Sequence, residues 1–283
     1  MNIKKVLLKY KMAVEDNLCD NLALLGDKTT LRDACEYALM NGGKRFRPAI
    51  VMMVSEALGK KSDVKHVALG VEFLHTASLI ADDLPCMDDD DERRDLPSTH
   101  KVYGEAIALL ASYALIAAGY RAICYNTEAL RGTVLDADAN RICFAALENV
   151  TRNTGIIGAT GGQFLDICPP GRDLDSVKDV IYKKTVTLFE VSFVLGWLFG
   201  GGNLDLLDTV KRAAYHFGMA FQIKDDIDDI RQDIENKKVL NYAVLLGEEA
   251  ARMAFRDEIE ALRSTMNELN IYSDDFRAII DAI

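Results

Sequence analysis

Residues 81–94, ADDLPCMDDDDERR, hold seven carboxylate side chains in their first twelve positions and end in two arginines. Carboxylates this close together repel one another unless a cation lies between them. Pro85 cannot continue the helix that the preceding residues predict, so we expect Asp88 to return to Asp82 and Asp83 through a short irregular turn. Such a cluster is suited to Mg²⁺, which prefers a few carboxylates together with water and phosphate oxygens.

A second acidic cluster, FQIKDDIDDI at residues 221–230, lies inside a predicted helix. Gln222, Asp225, Asp226 and Asp229 follow the spacing i, i+3, i+4 and i+7, so they form one stripe on that helix. Like charges at i and i+4 destabilise a helix by about 0.2–0.5 kcal/mol, a repulsion that a bound cation relieves. Both clusters follow apolar helix faces, which predicts that they meet at the mouth of a helical bundle. The predicted metal ligands are Asp82, Asp83, Asp88, Asp225, Asp226 and Asp229.

Other sites that use carboxylates fit the sequence less well. Each cluster alone is also typical of a solvated charged surface. A calcium-binding loop does not fit, because counting from Asp82 there is no glycine at position six and Arg93 stands at position twelve. A di-iron bundle needs two E-x-x-H motifs, and the sequence contains one, from Glu72 to His75.

Basic residues supply a different kind of anion site. The segment GGKRFRP, residues 42–48, presents Lys44, Arg45 and Arg47 at a glycine break that opens a helix, and Arg93-Arg94 close the first acidic run. Arginine guanidinium groups match phosphate oxygens without a metal. Together with the acidic clusters, these residues predict two phosphorylated substrates, one held through metal ions and one held directly.

Periodic apolar residues at helical spacing run along nearly the whole chain and must position these groups. They predict one all-α domain over residues 1–283, with a central bundle wrapped by other helices. Glycine and proline predict breaks at 42–43, 84–85, 169–171 and 200–202. The predicted helices are 4–24, 31–41, 46–58, 64–84, 102–126, 136–163, 174–199, 204–233, 243–269 and 273–282.

Composition restricts the classes of partner. The net charge of −11 disfavours nucleic acid and anionic membranes, which repel an acidic protein. Six scattered cysteines without a CxxC pair are typical of reduced thiols in the cytoplasm. The N-terminal apolar run is too short for a signal peptide, and the apolar stretch 188–202 is interrupted by Glu190. We therefore expect a cytoplasmic protein without stable membrane insertion.

Seven segments together resemble the all-trans isoprenyl diphosphate synthases. They are GGKRFRP (42–48), FLHTASLIADDLPCMDDDDERR (73–94), THKVYGEAIALLA (99–111), GGQFLD (161–166), KKT (183–185), FQIKDDIDD (221–229) and YAVLLG (242–247). The resemblance implies an all-α bundle, usually a homodimer, whose two aspartate motifs face each other across a deep central cavity. It also implies a Mg²⁺-dependent head-to-tail condensation of isopentenyl diphosphate with an allylic diphosphate.

The resemblance assigns a role to each matching residue. The six aspartates named above would hold Mg²⁺, about three ions per site, on the allylic diphosphate. Lys184, Arg93 and Lys224 would face that diphosphate. Thr185 and Gln222 would lie beside the developing carbocation. The positions that match those binding isopentenyl diphosphate are Lys44, Arg47, His75 and Arg94.

Product length in this family depends on the floor of the cavity below the first motif. Ser78 lies one helical turn, about 5.4 Å, before Asp82, and Ala77 lies beside it. Two small residues predict an open shaft and favour geranylgeranyl over farnesyl diphosphate, and Ala77→Phe is expected to shorten the product. Close helix packing is the alternative reason for small residues here, and Tyr113 could also form the floor.

The segment after the second acidic cluster departs from the family pattern and leaves alternatives open. Segment 230–241 is shorter than usual, and Lys237 or Lys238 could replace a lysine that normally precedes the next motif. The chain could instead be a non-catalytic partner subunit of a heteromeric prenyltransferase, but such subunits commonly lose an aspartate motif. A class I terpene cyclase usually carries an asparagine/serine/glutamate motif in place of DDIDD.

Overall fold

The computed structural model describes residues 3–133, 136–235, 240–281 and 283, so Lys237 and Lys238 lie outside the described residues. The all-α prediction is confirmed: the described strands are β1 (Glu92–Arg93) and β2 (Leu96–Pro97), which pair antiparallel. The described helices are α1 (Ile3–Asn21), α2 (Thr30–Met40), α3 (Phe46–Ala57), α4 (Lys65–Asp82), α5 (Thr99–Tyr103), α6 (Glu105–Arg131), α7 (Asp136–Thr154), α8 (Ala159–Ile167), α9 (Leu174–Ile181), α10 (Thr187–Phe199), α11 (Leu207–Asp228), α12 (Ile230–Glu235), α13 (Tyr242–Leu246), α14 (Glu248–Glu268) and α15 (Asp274–Ile280). Short 3₁₀ turns cover Leu22–Leu25 and Leu204–Leu206.

The centre of the molecule is α10, whose residues are all buried. α3, α4, α7 and α11 pack around it. Phe189 on α10 lies edge-on to Phe217 on α11, with ring centroids 5.0 Å apart, and Phe46 on α3 completes the aromatic cluster. Large rings buried in this way account for much of the apolar area that stabilises a helical core.

The most extensive contact between two helices is that of α4 with α6, and glycines permit their approach. A Cβ atom added to Gly70 would lie 3.0 Å from the carbonyl oxygen of Gly119. A Cβ atom added to Gly119 would lie 2.8 Å from the side chain of Leu74. α4 carries the first acidic cluster at its C-terminal end, so this tight contact fixes where the cluster lies.

Several predicted boundaries differ from the structure. Gly104, at φ +84°, separates α5 from α6 within the predicted helix 102–126, and α6 continues to Arg131. The predicted helix 136–163 is interrupted between α7 and α8. The predicted helix 174–199 is continuous, but Tyr182–Val186 forms a π-helical turn within it. The predicted helix 204–233 ends at Asp228, after which α12 begins.

One described helix, α6, is long and apolar enough to cross a membrane by length and composition alone. It packs against α4, α2, α5 and α7, as a core helix does. Only 39% of its most apolar window is buried, however, so a wide apolar face of α6 remains uncovered.

Candidate active site

The first acidic cluster is built by the end of α4 and the turn that follows it. The backbone N–H of Asp88 donates to the carbonyl oxygen of Asp82 at 2.9 Å, so the chain returns after Pro85 as expected. The side chain of Asp83 instead turns towards β1, where Nε of Arg93 donates to its Oδ1 at 2.9 Å. Arg93 also forms an ion pair with Asp90. Asp83 is thus buried and engaged by an arginine, while Asp82 is half-buried and Asp88 is exposed.

Asp82 is partly dehydrated, and its cationic neighbours do not fully offset the effect of this dehydration on its pKa. Burial raises the pKa of the Asp82 carboxyl to about 6, although the charge of Lys184 opposes the shift and that of Asp88 adds to it. Asp225 in the second cluster behaves in the same way. Partial dehydration by neighbouring protein atoms raises the pKa of Asp225 to about 6 although its side chain keeps contact with solvent, with Lys44 opposing the shift and Asp229 adding to it. Carboxylates with this shortage of positive charge fit a site for divalent cations.

Asp226, next to Asp225, has different surroundings. Its Oδ1 accepts a hydrogen bond from Nε2 of Gln222 at 2.9 Å, and its Oδ2 accepts from the backbone N–H of Tyr242 at 2.7 Å. Nδ2 of Asn241 donates to the carbonyl oxygen of Asp226 at 3.0 Å. The carboxylate is therefore directed into the protein and joins α11 to the start of α13.

Asp229 caps the end of α11, and its backbone N–H still donates to Asp225 at 2.9 Å. The helical register between the two residues is therefore kept. Both side chains are exposed at the same end of α11. This is the arrangement that the stripe in the sequence predicts.

The π-helical turn at Tyr182–Val186 positions Lys184 and Thr185. Lys184 forms an ion pair with Asp166 of α8, and its charge also acts on Asp82 at the end of α4. α8 approaches this turn closely because Gly162 has no side chain: a Cβ there would lie 2.4 Å from the backbone nitrogen of Lys184. π-helical turns of this kind are frequent at functional sites.

Thr185, the residue after Lys184, lies against Gln222 of α11. Oγ1 of Thr185 donates to Oε1 of Gln222 at 2.9 Å, so these two predicted neighbours are in direct contact.

Two residues of α8 have no role in the sequence analysis. Asp166 lies in the segment GGQFLD and pairs with Lys184. Gln163 in the same segment has a buried amide without a partner among the described residues. The polar residues of the glycine-containing segment GGQFLD were the only feature of the sequence that could have indicated these two positions.

The GGKRFRP segment is held in place by a buried ion pair. Arg45 adopts a left-handed conformation at φ +51°, and its Nη1 donates to Oε1 of Glu72 on α4 at 2.5 Å. A second guanidinium nitrogen of Arg45 donates to the carbonyl oxygen of Leu39. Lys44 and Arg47, on either side, are therefore presented from a fixed backbone.

The four residues expected to bind isopentenyl diphosphate lie around this segment. Nη1 of Arg47 lies 3.2 Å from Nε2 of His75 and its guanidinium stacks 4.8 Å from the ring centre of Phe189. Arg94 donates to Gly42 and to Asn41, and its guanidinium occupies the space a Cβ of Gly43 would need. Burial lowers the pKa of Arg47 to about 10, and burial together with Arg47 holds the pKa of His75 well below its usual range. A neutral His75 beside Arg47 fits an anion-binding position.

Some predicted site residues lie elsewhere. Lys224 forms an ion pair with Asp228 on the solvent side of α11. Ala77 is 1% exposed, and its carbonyl oxygen accepts a hydrogen bond from Ser112 of α6 at 2.9 Å, so it does not line an open shaft. Ser78 is half-buried and its hydroxyl donates to the carbonyl oxygen of His75.

The acidic residues beyond Asp88 form a group of their own. Among the described residues, the ligand atoms of Asp89, Asp91 and His100 lie within 4.8 Å of one another. Asp91 forms an ion pair with Lys101, and both are exposed. The six aspartates predicted as ligands do not form so compact a group in the described part of the chain.

A family model of polyprenyl synthetases matches residues 28–241, a range that contains both acidic clusters and the GGKRFRP segment. The chain belongs to the polyprenyl synthetase family. The match covers α2 to α12 and ends before α13, so the helices that surround the site are those of the family.

Curated relatives and solved structures agree with this membership. The heterodimeric geranylgeranyl pyrophosphate synthase large subunit 2 of Arabidopsis thaliana is 36% identical over 72% of this chain and 54% of its own length. The chloroplastic geranylgeranyl pyrophosphate synthase of Capsicum annuum is 34% identical over 82% of this chain and 62% of its own length. The chain thus spans little more than half of the length of these relatives.

The structural comparisons cover nearly the whole chain. An FPP/GFPP synthase from Zymomonas mobilis superposes with a TM-score of 0.81 at 27% identity, covering 98% of this chain and 99% of its own. A geranyltransferase from Legionella pneumophila, at 24% identity, gives a TM-score of 0.83 over 99% of this chain and 95% of its own. The latter similarity shows the fold of this polyprenyl synthetase and no more.

Proposed function

We propose that this polyprenyl synthetase condenses isopentenyl diphosphate head-to-tail with an allylic diphosphate and forms a short-chain all-trans prenyl diphosphate. The observation that carries the proposal is the pair of acidic clusters in which Asp82 and Asp225 have raised pKa values, each with a lysine opposite. Geranylgeranyl diphosphate is the favoured product and farnesyl diphosphate the next. Residues 1–283 would act as one synthase domain.

The allylic diphosphate would bind between the acidic clusters. Asp82, Asp88 and Asp225 are the residues best placed to hold Mg²⁺, which neutralises charge on the departing diphosphate when bound. Lys184 and Arg93 would donate hydrogen bonds to the same group from the protein side. Preorganised positive charge of this kind lowers the barrier to leaving-group departure.

Isopentenyl diphosphate would bind directly to Lys44, Arg47 and Arg94, with neutral His75 as a further hydrogen-bond donor. These groups are positioned by the Arg45–Glu72 ion pair rather than by metal. The double bond of isopentenyl diphosphate would attack the allylic cation, with the proton lost to the released diphosphate. The buried aromatic residues below would keep water from the cation.

The function is tested with purified protein, Mg²⁺, isopentenyl diphosphate and each allylic diphosphate in turn, with products resolved by carbon number. Elongation by the isolated chain is expected. Cyclised hydrocarbon products would support a terpene cyclase instead. Activity that appears only when a partner chain is added would favour the heteromeric subunit, a possibility that the name of the Arabidopsis large subunit brings forward.

We also propose that the protein is a homodimer joined through α6 and α7. Tyr113 on α6 is 58% exposed and Phe144 on α7 is 74% exposed, and Leu110, three residues before Tyr113, adds to the uncovered apolar face of α6. A second copy would cover it by an isologous contact, which is the commonest arrangement of soluble oligomers. Lipid is disfavoured by the net charge of −11. Charge and the free cysteines support a cytoplasmic location, whereas several relatives are named as chloroplastic.

A further inference from the structure

Three hydrogen bonds connect the beginning of α13 to the π-helical turn. The backbone N–H of Tyr242 donates to Oδ2 of Asp226 at 2.7 Å, and Nε2 of Gln222 donates to Oδ1 of Asp226 at 2.9 Å. Oγ1 of Thr185 then donates to Oε1 of Gln222 at 2.9 Å. Asp226 is 4% exposed, and Thr185 is also buried. The hydrogen bonds are therefore partly or fully removed from water, and their direction has a greater electrostatic effect there than in solvent.

The chemistry of the donors and acceptors fixes the direction of this chain of bonds. An ionised carboxylate only accepts, so the NH₂ group of Gln222 must face Asp226. The carbonyl oxygen of Gln222 must then face Thr185, which uses its single hydroxyl proton to reach it. The lone pairs of Thr185 Oγ1 accept no hydrogen bond from the described residues.

We infer that Asp226 is a positioning residue that sets the polarity of the Gln222–Thr185 pair, so that Thr185 presents oxygen lone pairs rather than a proton to the reacting carbon. This inference rests on the proposed function, in which a carbocation develops beside Thr185. It separates Asp226 from its neighbour Asp225, whose side chain is exposed. An oxygen lone pair stabilises positive charge, whereas a hydroxyl proton or an amide NH₂ opposes it.

Asp226→Asn reverses the chain while preserving its size. The backbone N–H of Tyr242 still needs an acceptor, so the new amide oxygen faces Tyr242 and the new NH₂ group faces Gln222. Gln222 must then turn over and donate its own NH₂ group to Thr185. A lone pair of Thr185 Oγ1 then accepts this hydrogen bond, and the Thr185 hydroxyl is free to donate its proton to another partner.

The expected result is a fall in kcat of about 10- to 100-fold in Asp226→Asn, with KM for both substrates within about twofold of wild type. Binding of Mg²⁺ with inorganic diphosphate, measured by titration calorimetry, should also stay within about twofold, because the carboxylate of Asp226 is not directed at the ions. The matched control is Asp225→Asn, which should weaken that binding at least about tenfold. Equal weakening in both variants would overturn the inference and make Asp226 a metal ligand.

A double-mutant cycle with Thr185 distinguishes an effect of hydrogen-bond polarity on kcat from general support of the structure by Asp226. In a Thr185→Val background the polarity has no hydroxyl to act on, so adding Asp226→Asn should change kcat by less than about twofold. A loss as large as in the wild-type background would overturn the inference.

A third measurement does not depend on synthase activity. In ligand-free protein, the losses of Tm in Asp226→Asn and Gln222→Met should not add, because Asp226→Asn reverses and Gln222→Met removes the same hydrogen bond. Additive losses would overturn the contact on which the inference rests. A wild-type protein that fails to elongate any primer would refute the proposed function, while this melting cycle would still decide the hydrogen-bond chain.

Discussion

Replacing Glu72 with alanine tests how the GGKRFRP segment is held. Glu72 on α4 and Arg45 each have only 1% of their side chain exposed, and Nη1 of Arg45 lies 2.5 Å from Oε1 of Glu72. Arg45 is also in a left-handed conformation at φ +51°, which a residue with a side chain adopts only when its surroundings enforce it. Glu72→Ala leaves the guanidinium buried without its counter-ion.

The expected cost follows from burial. Breaking a buried ion pair by removing one partner typically destabilises a protein by ~3–5 kcal/mol. An unfolding entropy of about 2.1 cal/mol/K per residue amounts to about 0.6 kcal/mol/K over 283 residues, so Tm should fall by roughly 5–8 °C. Because Lys44 and Arg47 flank Arg45, KM for isopentenyl diphosphate should rise as well.

The assay is thermal unfolding of the ligand-free protein, followed by KM measurement at a temperature where each variant is folded. Glu72→Gln keeps an acceptor for Arg45 without the charge and should lose less than Glu72→Ala. The matched control is Glu248→Ala, which breaks an exposed i, i+4 pair with Arg252 and should cost below about 0.5 kcal/mol. If Glu72→Ala melts within about 2 °C of wild type, the ion pair does not hold the segment and the reasoning is refuted.

Three further outcomes are expected. Burial raises the pKa of Asp82 and that of Asp225 to about 6, so between about pH 4 and pH 6 the folded protein binds protons that the unfolded chain has released. Ligand-free stability should therefore fall as pH rises through this window, while the affinity for Mg²⁺ with diphosphate rises. An affinity that titration calorimetry finds unchanged between pH 5 and pH 7 would contradict this. Ser78→Phe should shorten the product in chromatography, whereas Ala77→Phe should mainly lower Tm by overpacking against α6; unchanged chain length in an active Ser78→Phe enzyme would move the floor elsewhere. Tyr113→Asp should convert the dimer to monomer in light scattering, and an unchanged mass would exclude this face.

The helices and the order of the site segments could be predicted because apolar periodicity is a local property of the sequence. The return of the chain after Pro85 could be predicted for the same reason, since proline acts on its own helix. The break at Gly104 was missed because one glycine is compatible with a helix interior, and only its φ of +84° reveals the boundary. The π-helical turn at Tyr182–Val186 has no marker in the sequence.

Side-chain partners were harder to predict than elements. Lys184 and Lys224 both belong to basic positions in recognised segments, yet the first pairs with Asp166 of α8 and the second with Asp228 on its own helix. The role of Ala77 depended on whether α6 covers it, which the spacing of small residues does not reveal. These outcomes depend on tertiary contacts between segments far apart in the sequence.

Asp82-Asp83 and Asp225-Asp226 are each a pair of neighbouring aspartates, and helix geometry gives the two members of each pair different directions. Neighbouring residues on an α-helix point about 100° apart, so both members of a pair cannot face the same cation. At the end of α4, Asp82 remains partly exposed and Asp83 turns to Arg93. Near the end of α11, Asp225 is exposed, while Asp226 turns inward.

In each pair, the second aspartate bonds to a later segment of the chain: Asp83 to β1 and Asp226 to the start of α13. The first aspartate of each pair has a pKa raised to about 6, and its carboxylate accepts no hydrogen bond from the described residues. Each pair of aspartates therefore combines one group available to a cation with one that anchors a later segment. Replacing the first by asparagine should affect metal binding, and replacing the second should affect the position of the segment it anchors.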